Sequence, residues 1–599
     1  MKPEPEQGLA ASMIKQMRIT ASACRPMAAG LLFMVAGLNA SIAAPERAEG
    51  IGASGLFLAG IVANSARDIG AAADYFREAF QADPRNAALV DQSFLADLVD
   101  GNLPEAFKTA EKAVRRDKSN ALAHVALGVR AMKANQFASA RKYFERAGGT
   151  ARNADLTIAL LRAWALLGAG DHTNAIASVD RFKSPEPAGY RDFFGGLMAD
   201  LAKKPDEAEK RLASAYKTEG GTLRVVEAYG RLLSRIGKLE QARTIFEEWR
   251  GRNPGQPYLD RQIAALQRGE SLPSLVQSAS DGAAEVFYGL GAVGAAARDP
   301  FTAIIYIQLA HYLTPQDDVI TMTLAEFFEQ LRQNERVAEV FASIPPDSPF
   351  ANRAAIGRAA ALERMEKSDE AIGVLRALLA KSPGDIEAAD TLGTILRLKK
   401  RWGESVSVYD AALAATPRLE QKHWVLLFGR AIGQERMKLW PKAEADFLAA
   451  LDLLPLKPRT PREKAERAQV MNYLAYSWVD MHMNIEKSFD MLREAVALTP
   501  EDGAIVDSLG WAYYRLGKYD EAVRELERAI LLRAGDATIN DHLGDAYWRV
   551  GRQREARFKW SQALGLNPEP EDKVKIENKL ANGLEAGNAA AIPPKPNGG

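Results

Sequence analysis

Residues able to do chemistry are few in this 599-residue chain, and they are scattered. Six histidines (His124, His172, His311, His423, His482 and His542) include no two at the spacing of metal ligands. The single cysteine, Cys24, excludes a disulfide framework and any Cys-based zinc site. No HExxH, GxSxG or P-loop string occurs. Gly289, Gly291 and Gly294 do spell GxGxxG within YGLGAVGAAARDP. A dinucleotide site needs such glycines to follow a strand and open a helix. Here no strand precedes them and the string lies inside a helical pattern, so it reads as packing. Asp541 and Asp545 have the spacing of an acid and a base, but carboxylates four apart on a helix are usually solvated. The expectation is a non-enzymatic protein with no catalytic, metal-binding or cofactor-binding residues, and hence no cofactor.

The elements that carry these residues repeat. In a window of 34 residues starting at residue 53, positions 8, 20, 24, 27 and 32 read Gly60, Ala72, Phe76, Ala79 and Pro84. The last two windows read Gly510, Ala522, Leu526, Ala529 and then Gly544, Ala556, Trp560, Ala563, Pro568. About fourteen such units follow one another, the fourth and eighth weakly marked. Each holds two amphipathic helices with apolar residues three and four apart. Small residues fall where the helices of a pair approach closely. Phe76, Phe144, Phe246 and Trp560 are expected to fill the gap to the next unit. Pro104, Pro205, Pro300 and Pro441 fall where second helices start, where a missing N–H costs nothing. One such unit cannot bury its apolar face alone, whereas a stack can. Almost no residues are left for a separate catalytic domain.

Composition agrees with a surface used locally. The chain has 77 basic and 77 acidic residues, so no net field exists to draw in nucleic acid. At the N-terminus, Lys15, Arg18 and Arg25 precede an apolar run from Met27 to Leu38 and small residues up to Ala44. This is the order of a secretory signal peptide, and the run is too short to span a membrane. Residues 1–43 are expected to be removed on export to the periplasm; the alternative is an uncleaved leader that anchors the chain in the inner membrane.

The repeat resembles the tetratricopeptide (TPR) repeat over about 500 residues. The resemblance implies an all-α fold, a right-handed superhelical solenoid of about 14 helix-turn-helix repeats. Arrays would cover 53–254 and 284–455, with C-terminal repeats at 456–568. The period breaks at 255–283, read as an irregular insert. A capping helix is expected at 569–586, followed by a disordered tail at 587–599. The resemblance also places the first helix of each unit on a concave face. In the C-terminal units that face carries Asn472, Tyr476, Asp480, Asp507, Trp511, Tyr514, Arg515, Asp541, Asp545, Trp548 and Arg549. Asn can hold a backbone amide by two hydrogen bonds, Arg a carboxylate, and the aromatics offer flat apolar area. In the second and third units the same face carries Leu95, Leu98, Leu122, Val125, Val129 and Met132. That stretch wants covering by a second chain, a folded partner or a closed superhelix.

Three C-terminal strings, VMNYLAYSWVD, DGAIVDSLGW and INDHLGDAYW, narrow the resemblance. They are similar to a group of exported proteobacterial TPR proteins that carry NYLGY, DSLGW and DHLGD in this order. Ala475 replaces the usual glycine of the first motif, and no lipoprotein cysteine is present. The resemblance implies a periplasmic scaffold or adaptor binding other proteins, including presentation of substrates to an envelope protease. The alternative is a structural or oligomeric part of an envelope, secretion or polysaccharide-export assembly. Membrane association would be indirect or through the leader, and oligomeric state is left open.

Overall fold

The computed structural model describes residues 52–66, 68–148, 156–181, 188–253, 257–296 and 300–584. The expected leader at 1–43 and the expected tail at 587–599 lie outside them. The described residues form 30 α-helices, two short 3-10 turns and no strand. Twenty-eight of these helices make fourteen consecutive pairs, from Ala53–Ser65 with Ile69–Ala82 to Ala537–Arg549 with Gln553–Gly565. The two outside the pairs are Asp260–Gln267 and Pro570–Asn582.

Local signals explain the boundaries. Asp68, Asn120, Asp171, Asp317, Asp385 and Asp536 stand just before helices and accept hydrogen bonds from backbone N–H groups of the first turn. Proline occupies the first turn of the second helices that begin at Leu103, Pro205 and Trp440. The turn within a pair needs one left-handed residue, supplied by glycine at Gly101, Gly237, Gly517 and Gly551. Asn135 and Lys400 take the same conformation with positive φ.

Within a pair, a large side chain lies over a glycine sixteen residues earlier. A Cβ on Gly128 would sit 2.3 Å from the Phe144 ring, one on Gly230 2.2 Å from Phe246, and one on Gly544 2.5 Å from Trp560. Phe144, Phe246 and Trp560 thus each fill a notch in their own pair, a contact that the expectation of packing toward the next unit did not include. Only a residue without Cβ lets the two helices close around a ring. Tyr409 alone of these touches glycines of two pairs, Gly393 and Gly429.

The chain divides into two compact units, one ending at Ala371 and the other starting at Ile372. In the first unit the array returns on itself. Helices Ala279–Ala296 and Pro300–Leu313 pack on the first helices of earlier pairs, Ala87–Asp100, Ala121–Lys133, Leu156–Gly168 and Ala188–Leu201. The contact is close and polar at its edges. Ser280 Oγ donates to the Met132 carbonyl at 3.0 Å, and Lys133 Nζ to the Leu313 carbonyl at 2.8 Å. Arg336 pairs with Asp100 at 2.8 Å. Phe107 meets Tyr312 edge-on at 5.1 Å. The Trp164 ring lies against Gly282, where a Cβ would be 2.3 Å away.

This settles what covers the apolar face of the second and third pairs. Leu98, Val125, Val129 and Met132 are buried in the first unit's core, beneath the chain's own returning helices. Leu122 is half-buried and Leu95 remains 37% exposed at the rim. For Leu98, Val125, Val129 and Met132 the assignment as a partner face is corrected, because the hydrophobic gain of covering them is already taken in cis. Of the GxGxxG glycines, Gly291 lies against Ile307 of its own pair, inside helix Ala279–Ala296.

From residue 257 on, the break holds a 3-10 turn (Pro257–Leu259), helix Asp260–Gln267 and an irregular stretch. The next pair already starts at Ala279.

Candidate functional site

The second unit keeps its inner face open. The first helices of its last four pairs are Trp424–Arg436, Pro461–Asp480, Gly503–Arg515 and Ala537–Arg549. Thr460 and Glu463 form a reciprocal capping box at the second of these. Asp502 and Asp536 cap the third and fourth. These caps set where each helix starts, and with it the angle at which residues four apart face inward.

A cleft of about 600 Å³ opens on this face, lined by Asn472, Tyr476, Asp480 and Asp507 together with Glu435, Arg436, Ser508, Thr538, His542 and Lys575. Four of the eleven predicted groove residues thus meet in one place. Asn472 Oδ1 is shielded from water and has no hydrogen-bond partner among the described residues. Such an acceptor costs about 1–3 kcal/mol if left unpaired. Burial, reinforced by Asp507 and Asp480, pushes the Tyr476 hydroxyl far above its ordinary range, so it stays a neutral donor.

Behind the cleft wall, Trp511 is stacked between two rings. Its centroid is 4.7 Å from Tyr514 and 4.0 Å from His542, nearly parallel to both. His542 Nδ1 lies 3.0 Å from the Asp507 carboxylate. Burial opposes the charged imidazole, but Asp507 outweighs it and holds the pKa above the ordinary value. Arg515 is held at 2.8 Å by Asp480, so its charge is matched in cis. Arg549 Nε donates to the Tyr514 hydroxyl at 3.3 Å.

The remaining predicted residues are taken by the chain itself. Lys579, from helix Pro570–Asn582, lies 2.8 Å from both Asp541 and Asp545. Trp560 Nε1 donates to Asp545 at 2.9 Å. Burial lifts Asp545 to about 6 against the pull of Lys579. Gly583 approaches Trp548 so closely that a Cβ would be 2.2 Å from its ring. Asp541, Asp545 and Trp548 are therefore corrected from groove residues to the seat of the terminal helix. The view of the two carboxylates as solvated fails for the same reason.

Glu435 and Arg436 were legible but overlooked: the concave positions, read one repeat earlier, fall on them. His542 and Lys575 were not, since His542 lies off those positions and Lys575 comes from outside the repeats. Among the described residues no group is arranged to hold a metal ion, and no helix is long and apolar enough to cross a membrane.

Comparison with known proteins agrees with this repeat. Family models described as tetratricopeptide repeat and TPR repeat match residues 125–189 and 356–420, and residues 510–551. The chain is 35% identical over 63 residues to a TPR repeat-containing protein of Pseudomonas aeruginosa, a match spanning 10% of this chain and 11% of that protein. Among solved structures it is similar to the APC/C hetero-tetramer Cut9–Hcn1, with 12% identity and TM-score 0.35 over 88% of this chain and 96% of that one. It is similar also to yeast Tom70, with 13% identity and TM-score 0.30 over 88% and 95% of the two chains. Residues 125–189, 356–420 and 510–551 are thus tetratricopeptide repeats, set in an all-α array of fourteen helix pairs.

Proposed function

We propose that this chain is a non-enzymatic scaffold or adaptor that binds polypeptide partners in the cleft of its second unit. The observation that carries the reading is the cleft's chemistry. Asn472 offers an unpaired amide oxygen, Tyr476 a neutral hydroxyl, and Asp480 and Asp507 carboxylates, all on one inner face. That mix suits the alternating donors and acceptors of an extended backbone. The tetratricopeptide stretches add support, because such repeats generally engage other proteins.

The finer reading follows the leader and the C-terminal strings: the protein acts in the periplasm, and its partners include substrates it presents to an envelope protease. The rival reading, a structural component that oligomerises through an apolar N-terminal face, has lost the surface it relied on. Leu98, Val125, Val129 and Met132 are not available to a second copy.

A photo-crosslinking residue at position 472 tests the cleft. Polypeptides should be captured in cells from that position and not from Arg554, which is exposed on a second helix. Equal yields of the same products from both positions would remove the cleft from the reading. Cell fractionation tests the location, with the mature protein expected among periplasmic proteins and starting near residue 44.

A further inference from the structure

The first unit holds a second cavity, of about 650 Å³, where the break in the repeat lies beside the returning helices. Its walls come from helix Leu223–Arg235, helix Asp260–Gln267, the stretch up to Gln277, helix Ala279–Ala296 and the turn before Asp318. Six carboxylates line it (Glu227, Glu270, Asp281, Glu285, Asp317 and Asp318) against four arginines (Arg224, Arg231, Arg261 and Arg268).

Every one of those arginines is already matched. Arg224 reaches Glu227 and Glu285 at 2.9 Å each and also pairs with Asp317. Arg231 pairs with Glu227 at 3.1 Å, Arg268 with Glu270 at 2.6 Å, and Arg261 with Asp347 at 3.7 Å. Asp317 and Asp281 are further satisfied by backbone N–H groups, and Asp318 by Ser348. Glu285 is left with a third share of one guanidinium, although it is only 5% exposed. Its burial lifts its carboxyl to about 7.

Three further polar atoms in the cavity wall are shielded from water and lack partners among the described residues: Arg224 Nε, Arg231 Nε and Gln262 Oε1. Arg224 as a whole is only 5% exposed. Two donors and an acceptor match the carbonyls and N–H of a peptide unit. Tyr258 and Phe350, 5.0 Å apart between ring centroids, give the cavity an aromatic side.

We propose that this cavity binds a peptide segment through a lysine or arginine side chain, whose cation completes the charge of Glu285 while the Arg224, Arg231 and Gln262 groups hold the adjoining backbone. The stem of a long basic side chain lies along Tyr258 and Phe350, as such stems do on apolar surfaces. This site is independent of the cleft in the second unit.

Titratable and charged groups facing Glu285 are Arg224 and Glu227 from helix Leu223–Arg235, Asp281 and Tyr288 from its own helix, and Asp317 from the turn before Asp318. His311, on the paired helix Pro300–Leu313, faces Lys133 and Asp317 instead. A bound cation favours ionised Glu285, so binding releases a proton and strengthens as pH rises through 7.

The test is calorimetry on the full mature chain with three probes: acetyl-Ala-Arg-Ala-amide, acetyl-Ala-Glu-Ala-amide and spermidine. The arginine peptide should bind best, and about tenfold more tightly at pH 8 than at pH 6. Glu285→Gln should weaken it at least tenfold at pH 8 and flatten the pH profile. Gln262→Ala, on a partly exposed helix with no bond to lose, should weaken it several-fold with the thermal transition unchanged. Preferential binding of the glutamate peptide, binding of spermidine as tightly as the arginine peptide, an unchanged pH profile in Glu285→Gln, or no binding at millimolar peptide would each overturn the proposal.

Discussion

In the first unit, the inner face of the second and third pairs carries Leu98, Val125, Val129 and Met132, and the chain lays its own helices on them. In the second unit, the inner face carries Asn472, Tyr476, Asp480 and Asp507, and the chain leaves a cleft there. The helix pairs beneath are built alike, with a ring over a glycine in Gly128–Phe144 as in Gly544–Trp560. Side chains at a few inward positions therefore decide whether a repeat's face becomes core or surface. Apolar faces are worth about 25 cal/mol per Å² of apolar area removed from water, which is enough to draw an array back onto itself. Polar faces gain nothing from such closure unless each group finds a partner. The last pair shows the intermediate case, where Asp541 and Asp545 are covered because Lys579 arrives with the terminal helix.

The comparison breaks most visibly at Met132, which is fully buried. Met132→Asp should cost more than about 4 kcal/mol, since it places an unpaired carboxylate under the returning helices. Denaturant unfolding of the full chain reads this, and an unchanged midpoint would mean that the face is not covered. Next in size is Lys579→Met. Removing one partner of a buried ion pair typically costs about 3–5 kcal/mol, and Asp545 should then titrate higher still than about 6. If NMR finds Asp545 titrating no higher than in the wild type, the terminal helix does not sit on those carboxylates.

Smaller effects sharpen the common part. Gly230→Ala and Gly544→Ala would place a methyl 2.2 Å from Phe246 and 2.5 Å from Trp560. Each should destabilise by about 1–3 kcal/mol, although alanine favours an open helix. Similar losses in the two units would show shared packing beneath different faces, and a gain in either would refute the notch.

The smallest expected effect is the pH dependence of the His542–Asp507 pair. With a folded pKa above the unfolded value, its stabilising contribution is fully present below the unfolded pKa near 6.5 and is lost as pH rises through the folded one. Asp507→Asn should remove that slope and lower the His542 titration seen by NMR. A His542 titration unmoved by this change would mean that another group holds the proton.

Much of the fold was legible from spacing. A glycine sixteen residues before a ring, or twelve before an alanine, marks a helix pair, and prolines such as Pro205 mark where second helices begin. The count of pairs and their order followed from these. The notch contacts of individual rings were less legible: periodicity shows that Phe144 and Trp560 are buried, without showing that each lies on a glycine of its own pair. Of the predicted groove residues, Asn472, Tyr476, Asp480 and Asp507 line one cleft. Asp541, Asp545 and Trp548 do not remain open, because the helix that covers them lies beyond the repeats.

By itself, the sequence determined everything that depends on neighbours within a few turns. Helices, their pairing and the glycine notches all follow from contacts between residues close in the chain, where spacing is geometry. Tertiary structure alone decided which inner face is filled and which is open. That choice rests on residues far apart, Met132 with Ser280, Lys133 with Leu313, Asp541 with Lys579. A local pattern shows that a face is apolar or charged. Only the path of the whole chain shows what comes to meet it.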